Sequence, residues 1–310
     1  METPPLDELF DKRLEYPDPD ARRRYAALIG IDDAKDKLIK ILGVCVDPSG
    51  IEEWWRRHYG RVGVLLEKVM GRPPLIVLAG DVGTGKTALA ESVGDPVARS
   101  HKINVTLFPI SLSARGIGRV GEMTKLISSA FDFALKEAER KMNSKGKSSA
   151  GVLLLVDEAD ALAQSRELEQ MHHEDKAGVN AFIRGVDRVA QSRAPMGIIM
   201  CTNRLSVIDP AIRRRAAEII EFSRPNATQC KAALQPLAEV GFSEEQISRI
   251  AEITVEQRNG YGFTYSDIVQ RLLPTIVLDA YPDSSVRFDR ALNLATAMKP
   301  TPPFQENLKG

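Results

Sequence analysis

Residues 80–87, Gly80-Asp-Val-Gly-Thr-Gly-Lys-Thr87, match the pattern G-x-x-x-x-G-K-[ST] of a phosphate-binding loop. The match follows the apolar run at residues 75–79 and precedes a segment of helical character, which is the setting that this motif requires. A chance match somewhere in the chain is on the order of one in a hundred. The alternative of an ordinary glycine-rich turn is therefore disfavoured, and the loop predicts a nucleotide site at the end of a buried strand.

Each residue type in this loop has a chemical use. Glycines let the backbone wrap around phosphates, and exposed amides at the start of the following helix face their negative charge. Lys86 is expected to reach the terminal phosphates, and the Thr87 hydroxyl is expected to ligate Mg²⁺. The residues predicted to contact the nucleotide in this stretch are Asp81, Val82, Gly83, Thr84, Gly85, Lys86, Thr87 and Ala88.

Short apolar runs alternate with helix-length segments before residue 224, and only helical patterns follow it. This alternation is typical of a parallel sheet covered by helices on both faces. We predict a flexible segment at residues 1–20, a large α/β nucleotide-binding domain at 21–223, and a small helical lid domain with a C-terminal tail at 224–310. One helix is expected over about residues 51–70. The five predicted strands are residues 75–79, 104–110, 152–156, 197–201 and 218–222.

The overall composition excludes several classes of protein. Of 310 residues, 43% are hydrophobic and 27% charged, as in folded globular proteins. Lysine plus arginine and aspartate plus glutamate number 42 each, so no global positive charge attracts nucleic acid or an anionic membrane. No apolar run reaches the roughly 20 residues that span a bilayer, and the three cysteines have no zinc-site or disulfide spacing. We expect a cytoplasmic protein with a protein or small-molecule partner.

A second motif, Asp157-Glu158, follows the apolar run at residues 152–156. Carboxylates at the carboxyl end of a buried parallel strand point into the ligand crevice. Asp157 is expected to hold the metal ion through water, and Glu158 to polarise the water that attacks the terminal phosphate. The alternative, a helix N-cap with an acid in the first turn, is disfavoured beside a phosphate loop. The run at 104–110 suggests the subgroup of folds in which an extra strand separates the two motif strands.

These motifs, in their order and spacing, resemble those of the AAA+ ATPases from about residue 25 to about residue 281. The resemblance implies ATP hydrolysis with Mg²⁺ in a P-loop α/β fold that is followed by a helical lid. It implies that in the segment Leu28-Ile-Gly-Ile-Asp-Asp-Ala-Lys35 the backbone at Ile29 and Gly30 packs against adenine, and the alternative is an ordinary helix entry. It also implies that Asn203, at the end of the run Ile199-Met-Cys-Thr-Asn203, lies between the terminal phosphate and Glu158.

The run Ile208-Asp-Pro-Ala-Ile-Arg-Arg-Arg215 resembles the family segment whose arginine reaches the active site of a neighbouring subunit. A guanidinium in that place stabilises the charge spread over the transferring phosphoryl group. Arg215 is the strongest match and Arg214 the second, and the alternative is a solvated or salt-bridged arginine cluster. An arginine that acts in trans implies a ring, expected to be a homo-hexamer.

Two further segments depart from the family pattern. Gly262-Phe-Thr-Tyr-Ser-Asp-Ile268 resembles the start of the lid helix and implies a nucleotide contact at Ser266, although many members have Gly-Ala where this chain has Tyr265-Ser266. Residues 111–122 resemble the loop that lines the central pore, without the aromatic residue of protein-threading members. The alternative is a glycine-rich loop with no contact role. The implied substrate contacts are Ile117, Arg119, Val120 and Gly121.

The finer resemblance is to the pachytene-checkpoint type of AAA+ ATPase, in its compact bacterial form. It is carried by Val179-Asn-Ala-Phe-Ile-Arg-Gly-Val-Asp187, by Arg214-Arg-Ala216 and by Leu273-Pro274. It implies remodelling of a HORMA-domain protein in an anti-phage signalling system. A nucleic-acid motor or loader is the alternative, but the chain lacks a helix-turn-helix or an aromatic-basic platform. A non-hydrolysing scaffold would require the loss of a catalytic residue. It is also disfavoured, because Lys86, Thr87, Asp157, Glu158 and Asn203 are all present.

Overall fold

The computed structural model describes residues 9–61, 63–112, 121–142, 148–164, 172–255 and 260–304. Within these residues the chain forms a six-stranded sheet in the order β1-β3-β4-β5-β2-β6. No helix of the described chain is long and apolar enough to cross a membrane. The strands are β1 (Leu14–Tyr16), β2 (Leu75–Gly80), β3 (Asn104–Ser111), β4 (Ala150–Asp157), β5 (Met196–Thr202) and β6 (Ala216–Phe222).

The predicted α/β fold with a parallel sheet is confirmed, and all five predicted strands are present. β3 pairs with β4, β4 with β5, and β5 with β2, all in parallel. The phosphate loop follows β2 and the acidic motif ends β4, so β5 lies between the two motif strands. The expected extra strand is therefore β5 and not the strand at 104–111 that separates them in sequence.

The sheet has six strands and not the five predicted, and the additional strand is β1. β1 pairs with β3 in the antiparallel direction, with Leu14 opposite Leu107 and Tyr16 opposite Val105. It lies in the segment that the sequence analysis assigned as flexible, and its neighbours Leu9 and Phe10 are buried. The described part of that segment is thus folded onto the sheet edge. A three-residue strand is too short to show the two-residue periodicity from which strands are predicted.

Within the described residues, helices occupy the helix-length segments between the strands and after residue 224, and the helix Pro19–Ala26 begins inside the segment predicted to be flexible. Another difference lies around residue 60. There, two helices replace the single one predicted over residues 51–70, because the first ends at Gly60 with a φ of 81°. That left-handed conformation is open to glycine and interrupts the helical hydrogen bonding. The α-helices are Pro19–Ala26, Asp32–Val46, Pro48–Tyr59, Val64–Met70, Lys86–Ser92, Gly94–His101, Glu122–Arg140, Ala161–Gln164, His172–Ser192, Pro210–Arg213, Ala227–Leu234, Glu244–Thr254, Leu273–Ala280 and Phe288–Ala297.

Three helical segments of the described residues are not α-helices. Leu205–Val207 and Gln235–Val240 are 3-10 helices, and Asp267–Leu272 is a π-helix that continues into Leu273–Ala280. Pro274 is the second residue of this last helix and follows directly after the π-helix.

The chain divides into two compact units. Unit 1 comprises residues 1–27, 33–79 and 87–221, and unit 2 comprises residues 28–32, 80–86 and 222–310. The core of unit 1 is formed by the central strands, which are buried on both faces, and by the helices Glu122–Arg140 and His172–Ser192. Phe131 and Phe182 join these helices edge to face, with 5.5 Å between ring centroids. This burial explains why the strands read as continuous apolar runs.

Unit 2 has its own apolar core, which includes Leu234, Ile250 and Ile268. The Asp267 side chain is fully buried beside this core. Its carboxylate is satisfied by donors from three residues, which are the Thr264 amide, the Thr301 amide and hydroxyl, and the Arg271 guanidinium. The C-terminal segment is thereby attached to the start of the π-helix.

The Asp267→Asn substitution is expected to lower the free energy of unfolding by about 2 kcal/mol. Burial raises the pKa of Asp267, but the hydrogen bonds outweigh it and lower the pKa from 3.8 to about 2. A pKa lowered by folding contributes stability above the unfolded pKa, and this contribution is lost as the pH falls through the folded pKa. Denaturant titration at pH 7 should resolve this difference in free energy of unfolding between the parent chain and Asp267→Asn. The difference should become smaller below about pH 4.

The exposed Asp283 gives a matched control, since Asp283→Asn removes an acid of the same unit that is not buried. Equal unfolding curves for the parent chain and Asp267→Asn at pH 7 would contradict the stabilising role of this carboxylate.

Candidate nucleotide site

The phosphate loop in unit 2 is held by hydrogen bonds to its own carbonyl oxygens. Lys86 is 6% exposed, and its Nζ donates to the carbonyl oxygens of Gly80 at 2.7 Å and Asp81 at 2.8 Å. The Thr84 hydroxyl also donates to the Asp81 carbonyl, at 2.8 Å. Gly83 and Gly85 have φ angles of 76° and 99°, which is the left-handed region that glycine enters without cost. The predicted lysine is therefore directed into the loop.

The predicted lid contact meets this loop within unit 2. The Ser266 amide donates to the Gly83 carbonyl at 3.1 Å. A Cβ added at Gly83 would lie 2.8 Å from the Thr264 hydroxyl and 2.9 Å from the Ser266 Cβ, so only glycine fits there. Among the other predicted residues, Val82 is exposed, and Thr87 and Ala88 are exposed in the first turn of the helix that follows the loop. Ser266 thus lies beside the loop, as a lid contact requires.

Ile29 and Gly30, the predicted adenine contacts, also belong to unit 2. Gly30 has a φ of 72°, and its carbonyl accepts a hydrogen bond from Gln229 Nε2 at 2.7 Å. The Tyr265 hydroxyl packs so closely against Gly30 that an added Cβ would lie 2.4 Å from it. Ile29 is partly buried against the core of the unit. Tyr265 and Gln229 were not among the predicted site residues, although Tyr265 lies in the segment that resembles the start of the lid helix.

The acidic motif at the end of β4 lies in unit 1. Asp157 accepts hydrogen bonds from the Glu158 amide at 2.8 Å and from the Thr87 side chain. Burial raises the pKa of Asp157, and these two hydrogen bonds partly oppose that shift. The structure therefore brings together Thr87 and Asp157, the two predicted metal ligands. A hydroxyl and a carboxylate are oxygen donors of the kind that Mg²⁺ prefers, and Mg²⁺ sites typically use one or two carboxylates.

Glu158 has a φ of 52°, which is uncommon for a residue with a side chain. The Ser111 hydroxyl, at the end of β3, donates to Glu158 Oε2 at 2.6 Å. Strained backbone of this kind is found at functional sites. The carboxylate of the predicted general base is thus held in place by the neighbouring strand.

Asp160, which was not among the predicted site residues, contacts the predicted sensor Asn203. It is 7% exposed and accepts hydrogen bonds from four donor groups at and just after the end of β5. The donors are the Thr202 hydroxyl at 2.6 Å, the Asn203 amide at 3.0 Å, Asn203 Nδ2 at 3.1 Å and the Arg204 amide at 3.0 Å. Asn203, the predicted sensor, is therefore fixed by an acid that lies three residues after the end of β4. The signal was present in the sequence as a third acid two residues after Glu158.

The Asp160→Asn substitution is expected to lower kcat for ATP hydrolysis by about 10- to 100-fold, because small displacements of catalytic groups are costly. The amide introduces an N–H group among donors, so the free energy of unfolding should also fall by about 1–3 kcal/mol. Steady-state kinetics and thermal unfolding measure both effects. Glu139→Gln, an exposed acid on the helix Glu122–Arg140, is the control. Normal turnover in Asp160→Asn would show that Asn203 needs no such support.

The two predicted arginines differ in their surroundings. Arg215 forms a two-pronged ion pair with Asp187, with Nε to Oδ1 at 2.7 Å and Nη2 to Oδ2 at 3.0 Å. Its Nη1 also donates to the Ala211 carbonyl at 3.1 Å. This pairing raises the pKa of Arg215. Arg214 is exposed. Within one chain, the stronger motif match is therefore bound by its own unit.

Three of the four predicted pore-loop residues, Ile117, Arg119 and Val120, lie outside the described residues. Gly121 is described, and it precedes the helix Glu122–Arg140 with a φ of 82°. The implied substrate contacts stay a prediction.

The family can now be stated from comparisons with known proteins. Residues 76–224 match the profile of the AAA family, described as the ATPase family associated with various cellular activities. CD-NTase-associated protein 6 of Escherichia coli strain MS 115-1 is 52% identical over 303 residues, which is 97% of each chain. The chain belongs to the AAA ATPase family. This AAA ATPase thus shares the family's nucleotide-binding character, and the recognised resemblance is confirmed.

Two solved structures are similar to this AAA ATPase over nearly its whole length. One is a chain from the complex of HORMA, CdnC and Trip13 of Escherichia coli MS115-1, with 50% identity, a TM-score of 0.90, and coverage of 98% of this chain and 100% of that one. The other is Trip13 of Rhizobiales, with 45% identity, a TM-score of 0.74, and coverage of 95% and 100%. The similarity includes both the phosphate loop and the helical C-terminal unit.

Proposed function

We propose that this AAA ATPase forms a ring and uses ATP hydrolysis to remodel a HORMA-domain protein in a bacterial anti-phage signalling system. The carrying observation is the full-length similarity to a chain solved together with HORMA and CdnC. Similarity to CD-NTase-associated protein 6 over 97% of both chains supports the same system. The ring is proposed to be a homo-hexamer, with no nucleic-acid partner, in keeping with the balance of 42 basic and 42 acidic residues.

In this proposal the two ends of the nucleotide are bound by different parts of the chain. The phosphates bind the loop at residues 81–88, where Lys86 exchanges its contacts with loop carbonyls for contacts with phosphate oxygens. The base lies against Ile29 and Gly30, and Ser266 borders the nucleotide from the lid. In the same proposal the lid domain begins at residue 224, and the large nucleotide-binding domain includes β1 at residues 14–16.

The remaining proposed residues act on the phosphoryl group that is transferred. Thr87 and Asp157 hold Mg²⁺, directly or through water, and bound Mg²⁺ neutralises phosphate charge. Glu158 accepts a proton from the attacking water, and Asn203 orients that water. Arg215, or in second place Arg214, stabilises the charge that develops in a neighbouring subunit. Pore residues 117 and 119–121 contact the protein substrate.

The test is an ATP-dependent change in a purified HORMA-domain protein. Limited proteolysis should show a changed pattern of fragments from the HORMA-domain protein when the ATPase and ATP are added together, and not when either is added alone. Lys86→Ala is the matched control, because it removes the phosphate contact. Normal ATPase activity without a changed fragment pattern would contradict HORMA remodelling. Stimulation of ATP hydrolysis by DNA, with loss of this effect at high salt, would instead favour a nucleic-acid motor.

A further inference from the structure

The phosphate loop of this chain contains a carboxylate, Asp81, directly after its first glycine. A negative charge at this position opposes the binding of a triphosphate, since like charges repel more strongly where water is partly excluded. The Asp81 side chain is 17% exposed, so solvent screens it only in part. The loop therefore needs a group that offsets this charge.

Arg224, at the start of the helical part of unit 2, supplies that group. Its Nε and Nη2 donate to Asp81 Oδ2 at 3.0 Å and 2.6 Å, and its side chain is 15% exposed. Its third nitrogen, Nη1, donates to the Gly262 carbonyl at 2.5 Å. The guanidinium carbon lies 4.9 Å from the centroid of the Tyr261 ring, within range of a cation–π contact. Arg224 is thus held in place by contacts other than its ion pair with Asp81.

The other carboxylate oxygen of Asp81 is also occupied. Oδ1 accepts hydrogen bonds from the amides of Val82 at 3.2 Å and Phe304 at 3.0 Å. Meanwhile the main-chain carbonyl of Asp81 accepts from Lys86 Nζ and from the Thr84 hydroxyl. One residue therefore joins Arg224, through its side chain, to Lys86, through its backbone.

We infer that Arg224 is a positioning residue for the nucleotide, which cancels the charge of Asp81 and fixes the loop carbonyl that holds Lys86. This inference rests on the proposed function, because it concerns the binding of ATP at the same loop. Arg224 acts through Asp81 and does not itself contact the nucleotide. The chain thereby carries a phosphate loop whose charge is balanced from a site 143 residues away in sequence.

The charge argument predicts an asymmetry that a simple structural bridge does not. Removal of Arg224 leaves an unpaired carboxylate in the phosphate loop, and breaking a largely buried pair from one side is costly. Removal of the Asp81 charge leaves an unpaired cation, which attracts phosphate. If the ion pair were only a structural bridge, substitution of Arg224 and substitution of Asp81 would lower ATP affinity equally.

The experiment measures the dissociation constant of ATP for Arg224→Gln, Asp81→Asn and the double variant. We expect Arg224→Gln to weaken ATP binding about 10-fold or more, and Asp81→Asn to weaken it less than about 3-fold. The double variant should return to within about 3-fold of the parent chain, because the two effects are coupled. AMP, with a single phosphate, should show a smaller loss in Arg224→Gln than ATP does.

Two controls separate binding from folding. Arg290→Gln breaks another two-pronged arginine–aspartate pair of unit 2, with Asp279, and should leave ATP affinity unchanged. Arg224→Lys keeps the positive charge but loses the planar fork, so it should bind ATP more tightly than Arg224→Gln even if both variants lose stability in thermal unfolding without nucleotide.

Equal losses in Arg224→Gln and Asp81→Asn, with no recovery in the double variant, would overturn the charge-balancing role. If the parent chain and Arg224→Gln bind ATP with the same affinity, the inference is overturned and the proposed function is not. A parent chain that does not bind ATP would overturn both this inference and the proposed function.

Discussion

The Glu158→Gln variant is expected to bind ATP as tightly as the parent chain and to hydrolyse it at least about 100-fold more slowly. The substitution keeps the size of the side chain and its hydrogen bond from Ser111, but an amide does not accept a proton from the attacking water. The phosphate loop and the Thr87–Asp157 contact are left intact. A binding titration with ATP and a phosphate-release assay measure the two quantities separately.

Two comparisons make this result specific. Glu139→Gln neutralises an exposed acid and should hydrolyse ATP at the parent rate. Asp157→Asn should weaken ATP binding more when Mg²⁺ is present than when it is absent. Glu158→Gln should not show this dependence on Mg²⁺. Retained turnover in Glu158→Gln would assign the proton acceptor to another group.

The same variant should also stabilise the proposed ring when ATP is present, because the bound nucleotide is not consumed. Light scattering should then give a larger mass for Glu158→Gln with ATP than without it. A HORMA-domain protein that copurifies with this variant, and not with Lys86→Ala, would support the proposed substrate.

The sequence predicted those features whose cause is local. The strands were found because their residues are buried on both faces, and the phosphate loop and acidic motif were found because their chemistry requires contiguous residues. The interruption of the helix at Gly60 also has a local cause, yet it was not predicted, because the sequence does not reveal which glycine adopts a positive φ.

Missed features depend on partners that are distant in sequence. Arg224 and Asp81 are 143 residues apart, Gln229 and Gly30 are 199 apart, and Asp160 and Thr202 are 42 apart. Each is a polar residue whose role follows only when the fold brings its partner within hydrogen-bonding distance. A charged residue in a single sequence is otherwise indistinguishable from one on a solvated surface.

The proposed role of Arg215 in a neighbouring subunit is the remaining assignment with a large expected effect. Arg215→Ala is expected to lower kcat by about 1,000-fold, the effect typical of an arginine that stabilises phosphoryl transfer. Arg214→Ala should cost less. Asp187→Asn tests whether the loss is merely structural, since it breaks the same ion pair but leaves Arg215 available. If Asp187→Asn and Arg215→Ala lose activity equally, Arg215 serves its own unit and not a neighbour.

Complementation between two inactive chains decides whether the arginine acts in trans. An Arg215→Ala chain keeps its own phosphate loop, and a Lys86→Ala chain keeps its arginine, so each lacks what the other supplies. In rings assembled from equal amounts, about a quarter of the sites would combine an intact loop with an intact neighbouring arginine. ATP hydrolysis should therefore return on mixing, although neither variant is active alone. No recovery, in mixtures shown by mass to have coassembled, would place Arg215 in the same subunit as the site that it serves.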